Sequence, residues 1–166
     1  MSLSSWSVPL FLFVSDSNRD VALLPQAPAV SLGPDYIKLF REPVAFAHAS
    51  ATPQHPLVTL RAYWSAERRD IQTTTQSIQE VNENGGNYTA LQTVGLVAVA
   101  LTAGTSANQF VPLRLAYDSV RQDAASAPVN GADLNRALAH AAYSTGRAIA
   151  FVRKSDCQAC NVSMSE

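Results

Sequence analysis

The sequence predicts a mainly β domain with short helices, made of three pseudo-symmetric repeats that close in a β-trefoil-like way. One observation is a recurring phrase. Phe13-Val14-Ser15 runs to Arg19-Asp20, Tyr63-Trp64-Ser65 to Arg69-Asp70, and Tyr117-Asp118-Ser119 to Arg121-Gln122-Asp123, each led by a Pro-Leu pair (Pro9-Leu10, Pro56-Leu57, Pro112-Leu113). A second is that each phrase is followed by a lone tyrosine (Tyr36, Tyr88, Tyr143) and then an apolar run. A period of about 50 residues, met three times, marks units too small to bury their own apolar face, so they must share a core. The third is composition: 47% apolar residues with only 15% charged ones suits a β-rich domain, not a disordered or coiled-coil chain. A two-sheet sandwich is the alternative, because a period sets repetition and not closure.

The 166 residues fit one domain. The repeats cover about 7–47, 55–102 and 110–153, followed by a short C-terminal tail; the stretches 48–54 and 103–109, rich in small and turn-forming residues, read as linkers. In the first repeat, 8–14 is a strand. No positively charged segment precedes it, which argues against a signal peptide and for a soluble chain, either cytoplasmic or secreted without a leader. The stretch 23–34 carries Pro25, Pro28 and Pro34 and cannot be helical. Strands at 37–41 and 44–47 close the unit. The second repeat has a strand at 57–64, a short one at 73–75, a helix within 77–83 stopped by Asn84-Gly85-Gly86, and a closing strand at 91–101. The third has a strand at 111–117, a helix over 132–142 with Leu134, Ala137, Leu138 and Ala141 on one face, and a strand at 148–152.

A net charge of -1 without a basic block argues against a nucleic-acid partner. The longest apolar run, 94–103, is about half the ~20 residues of a membrane span.

Tyr63-Trp64-Ser65-Ala66-Glu67-Arg68-Arg69-Asp70, then Thr73-Thr74-Thr75, Tyr88 and Gly95, resemble a tandem repeat of bacterial and fungal extracellular, lectin-like proteins. The first repeat is similar where Tyr36 leads to Arg41-Glu42-Pro43-Val44, with Pro43 in place of glycine. The third keeps Tyr117, Ser119, Arg121 and Asp123, with Asp118 in place of the tryptophan. The resemblance implies a secreted accessory or carbohydrate-binding role and brings no catalytic residues.

Sugar recognition needs paired donors and acceptors for vicinal hydroxyls and an aromatic face for the ring. Arginine offers a donor fork, aspartate an acceptor pair. The ligand-binding candidates are therefore Arg19 and Asp20; Tyr63, Trp64, Glu67, Arg69 and Asp70; and Tyr117, Arg121 and Asp123. The competing reading has Arg and Asp pairing to hold a turn. Strand alternation puts Tyr63 and Trp64 on opposite faces. The matching places hold Val14 and Asp118, so Trp64 is expected to be the exposed one. Tyr36, Tyr88 and Tyr143 read as scaffold. His48, His55 and His140 lack ligand spacing, and Cys157 and Cys160 sit in a polar tail, so neither a metal, a cofactor nor a catalytic set is expected. Asn87-Tyr88-Thr89 and Asn161-Val162-Ser163 are glycosylation sequons.

The expectation is a non-enzymatic glycan-binding protein with up to three related sites, in which homo-oligomerisation would add avidity. The alternative is a protein-binding module, such as a trefoil-type protease inhibitor or toxin-associated subunit, with 23–34 and 76–86 as contact loops.

Overall fold

The computed structural model describes residues 5–50, 56–101, 107–128, 134–136, 138 and 142–156. It is mainly β. The described elements are β1 (Val8–Ser15), β2 (Asp20–Leu24), β3 (Ile37–Lys38), β4 (Ala45–Ala47), β5 (Leu57–Ser65), β6 (Asp70–Thr74), α1 (Ile78–Val81), β7 (Thr89–Ala98), β8 (Phe110–Asp118), β9 (Asp123–Ala127) and β10 (Arg147–Lys154). No helix among the described residues is long and apolar enough to cross a membrane.

Three hairpins, β1–β2, β5–β6 and β8–β9, share one register: Ser15 faces Asp20, Ser65 faces Asp70 and Asp118 faces Asp123. In each, the residue ending the first strand accepts the amide three residues on. Asn18 N donates to Ser15 Oγ at 3.1 Å, Arg68 N to Ser65 Oγ at 3.0 Å, and Arg121 N to Asp118 Oδ1 at 3.2 Å. The last turn residue is left-handed: Arg19 (φ 55), Arg69 (φ 54) and Gln122 (φ 55).

That register corrects the alignment read from the sequence. Asp118 stands with Ser15 and Ser65, not with Trp64; Tyr117 stands with Val14 and Trp64, and Arg121 with Asn18 and Arg68. A carboxylate does the serine's work here, taking the amides of both Val120 and Arg121. Likewise Leu10, Leu60 and Leu113, five residues before these positions, are all fully buried, so the partner of Leu10 in the second hairpin is Leu60 and not Leu57.

Every residue of β2, β6 and β9 is buried, and the three strands pack on one another. Their small and hydroxyl-bearing residues explain how. Thr73 Oγ1 donates to the Leu23 carbonyl at 2.8 Å, and Ser126 Oγ donates to the Thr73 carbonyl, so carbonyls without a ladder partner are satisfied by side chains. Around this centre β1, β5 and β8 pair with β4, β7 and β10, and β10 in turn joins β4 and β7, in an antiparallel sheet curled into a half-barrel.

The middles differ as their sequences require. The proline-rich stretch holds one 3-10 turn, Val30–Leu32. α1 is a short helix with a capping box, Ser77 Oγ accepting Glu80 N while the Glu80 carboxylate accepts Ser77 N. Of the expected helix 132–142 the described residues show 134–136 helical, with Leu134 and Leu138 buried, and the remainder, 132–133, 137 and 139–141, lies outside the described residues. His48 is no linker residue: it is 2% exposed, bridged to Leu96 and edge-on to Trp6.

Gly95 on β7 passes close under β4. A Cβ there would lie 2.8 Å from Ala47 Cβ and 3.4 Å from the His48 carbonyl oxygen. Gly95→Val is expected to destabilise by about 1–3 kcal/mol through overpacking. An unchanged urea midpoint would show that the crossing is looser than this.

Candidate functional site

Asp20, Asp70 and Asp123 each open a central strand, and the packing of β2, β6 and β9 brings them together. One carboxylate oxygen from each lies within 4.8 Å of the others. All three are buried. Within each unit the tyrosine reaches back: the hydroxyls of Tyr36, Tyr88 and Tyr143 donate to Oδ2 of Asp20, Asp70 and Asp123. Asp20 Oδ2 also accepts Ile71 N at 2.9 Å, tying the first unit to the second. The three Oδ1 atoms have no hydrogen-bond partner among the described residues.

Three such carboxyls cannot all be ionised. Burial, and next the charge of Asp123, push Asp20 up to about 7. Burial likewise holds Asp70 well above, and Asp123 above, the ordinary carboxylate range. Burial and then the neighbouring carboxylate raise each tyrosine, which keeps the hydroxyls protonated donors. A hard divalent cation wants six or more oxygens and usually keeps water. Three oxygens sealed from solvent suit shared protons better. The aspartates are therefore not surface acceptors on the turns, as the sequence suggested. They are the first residues of buried strands, with half of each carboxylate committed to a tyrosine.

The hairpin turns converge on this same end. Asn18, Arg19, Arg68, Arg69, Val120 and Arg121 surround a pocket of about 310 Å³ whose floor includes Asp70 and Asp123. Arg121 is tied down. Its Nε donates to Asp118 Oδ2 at 2.7 Å, its Nη2 lies 3.5 Å from Asp123 Oδ2, and its Nη1 donates to the Arg19 carbonyl at 2.5 Å. Asp118 is partly desolvated, yet the Arg121 side chain keeps it below its ordinary value.

A second hollow, a groove of about 410 Å³, lies between the second and third hairpins. Its polar lining is Arg68, Gln72, Gln76, Glu80, Asn84, Tyr117 and Arg147, its apolar lining Val81, Leu115 and Ala124. Family models, curated proteins and solved structures were compared with the chain, and none matches. The likeness to lectin-type repeats therefore rests on the residues themselves.

Of the expected ligand residues, Arg19, Arg69, Asp70, Arg121 and Asp123 meet at one pocket instead of forming three sites. Tyr117, 45% exposed, lines the groove. Tyr63 is not a binding face: it is 2% exposed, packs with Val81 and Tyr88, and donates its hydroxyl to the Gln76 carbonyl at 2.8 Å. Trp64 is half-buried against the core, outside both hollows. Glu67 is exposed and accepts Asn87 Nδ2 at 2.8 Å. Arg68, Gln72, Gln76, Glu80 and Arg147 were missed; a glutamine within the short strand β6 was the one local hint. His55, His140, Cys157, Cys160 and the sequon at Asn161 lie outside the described residues.

Proposed function

We propose that this protein is a non-enzymatic carbohydrate-binding domain, its three hairpin units arranged with pseudo-threefold, trefoil-like symmetry. The observation that carries the reading is the groove. Tyr117 offers a ring face to the apolar side of a sugar. Gln72 and Gln76 add planar amides, each both donor and acceptor, and Arg147 a donor fork, which is what vicinal hydroxyls require. The tyrosine's counterparts are Val14 and the half-buried Trp64, so one groove of this kind replaces the three expected. Paired-carboxylate hydrolysis finds a single carboxylate in the groove, Glu80, and that one is engaged in capping α1.

The test is a glycan array followed by titration of the best binder. Tyr117→Ala is expected to weaken binding about tenfold or more through loss of the ring contact, without changing the melting temperature, because the side chain is exposed. An array on which no glycan is retained overturns the reading. The protein-binding alternative is favoured by Val30 (74% exposed) on the first middle segment and Ile37 (64% exposed) on β3 just after it, both apolar side chains displayed at the surface. A protease panel separates the two: inhibition lost in Val30→Asp, with no glycan bound, selects it.

A further inference from the structure

We propose that the pocket at the hairpin ends is a second binding site, sharing only Arg68 with the groove, for a tetrahedral oxyanion: a phosphate or sulfate group, free or esterified to a larger molecule. Four arginines surround it, and guanidinium forks match such groups with paired N–H donors.

The charge is not all spent. Arg121 is neutralised by Asp118, its Nε 2.7 Å from Asp118 Oδ2, and Arg68 Nη2 donates to the Asn84 carbonyl at 2.7 Å. Arg19 and Arg69 have no ion pair among the described residues. The floor offers little opposing charge. Asp70 and Asp123 are both buried, and each commits its Oδ2 to a tyrosine hydroxyl.

The backbone adds an independent reason. Arg19 and Arg69 both sit at left-handed φ, which costs an ordinary side chain about 1 kcal/mol and which glycine or asparagine adopts more cheaply. In two hairpins of this chain the position is filled instead by a long cation, and both residues line one shared cavity. The third hairpin has Gln122 at the matching place, so the cationic wall is two-sided. At about 310 Å³ the pocket lies at the small end of ligand sites, the size for one compact group and not for a glycan chain.

Calorimetric titrations at constant ionic strength test this with inorganic phosphate, inorganic sulfate, a monosaccharide 6-sulfate and the same sugar unsulfated. Saturable binding of at least one oxyanion is expected, with none by the plain sugar at this site. The double variant Arg19→Gln/Arg69→Gln should weaken it about tenfold or more, since two charged donors leave. It should keep its melting temperature and its groove binding, while Tyr117→Ala keeps the oxyanion. Tighter binding of the sugar sulfate than of the free ions assigns an ester as ligand; equal or weaker binding assigns the free ion. If no oxyanion saturates, or if the double variant binds as the parent does, the site is refuted, whatever the groove does.

Discussion

Raising the pH from about 5 to about 8 is expected to destabilise the protein, by on the order of 3 kcal/mol if Asp20 alone titrates in that window. The sign follows from proton counting. Asp20 holds its proton up to about 7 in the folded chain, whereas an unfolded aspartate releases it near the model value 3.8. Between those values the native state binds more protons, so stability falls as pH rises; it is fully present below the unfolded value and gone above the folded one. Asp70 and Asp123 are raised as well and share the same site, so the three act as one coupled unit and their contributions do not add. The acid limb has the opposite cause. The Ser15 hydroxyl, helped by the Ser17 amide and hydroxyl, holds the half-buried Asp35 down to about 2, and this contribution is lost as pH falls toward that value. Maximum stability is therefore expected on the mildly acidic side. Thermal melts across this range should show a drop of roughly 10 °C toward pH 8. Asp70→Asn keeps an acceptor for the Tyr88 hydroxyl and removes one charge, so it should flatten the slope. A stability that climbs with pH, or an unaltered slope in Asp70→Asn, would sink the shared-proton account.

Removing the tyrosine hydroxyls should have the next largest effect. Tyr88→Phe leaves Asp70 Oδ2 buried without its hydroxyl donor, and an orphaned acceptor of this kind costs about 1–3 kcal/mol. Tyr36→Phe should cost less, because Asp20 Oδ2 keeps the Ile71 amide. Tyr143→Phe should also cost less than Tyr88→Phe, because Arg121 Nη2 stays 3.5 Å from Asp123 Oδ2. Each loss should deepen as the pH rises, since an ionised carboxylate suffers more from a missing donor than a neutral one. Urea titrations of the three variants at two pH values read out both order and trend. Equal losses, or losses independent of pH, would show that the hydroxyls only fill space.

Much of the fold was legible because it is local. Strands alternating toward a common core, proline in the first middle segment and Ser77 with Glu80 ahead of an apolar turn are short-range signals, and β1, β5, β8, α1 and β10 stand close to where they point. The register is carried by hydrogen bonding and not by residue likeness. The likeness of Tyr63-Trp64-Ser65 to Tyr117-Asp118-Ser119 points to a match one residue off the structural one. The physical question, which side chain accepts the amide three residues on, selects Asp118 directly. The site was less legible. Whether an aspartate after a turn faces solvent or a buried neighbour depends on strands about 50 residues apart, and no local pattern carries that.

The sequence by itself determined three similar strands, each followed by a polar turn, an aspartate and, further on, a lone tyrosine, because those features depend on spacing alone. Only the tertiary structure decided what the repetition is for. Packing β2, β6 and β9 against one another sinks the three aspartates into one tyrosine-held cluster and gathers the arginines of the turns around a single pocket. The reason is geometric: a charge repeated along the chain becomes a cluster only when the fold brings its copies to the same end.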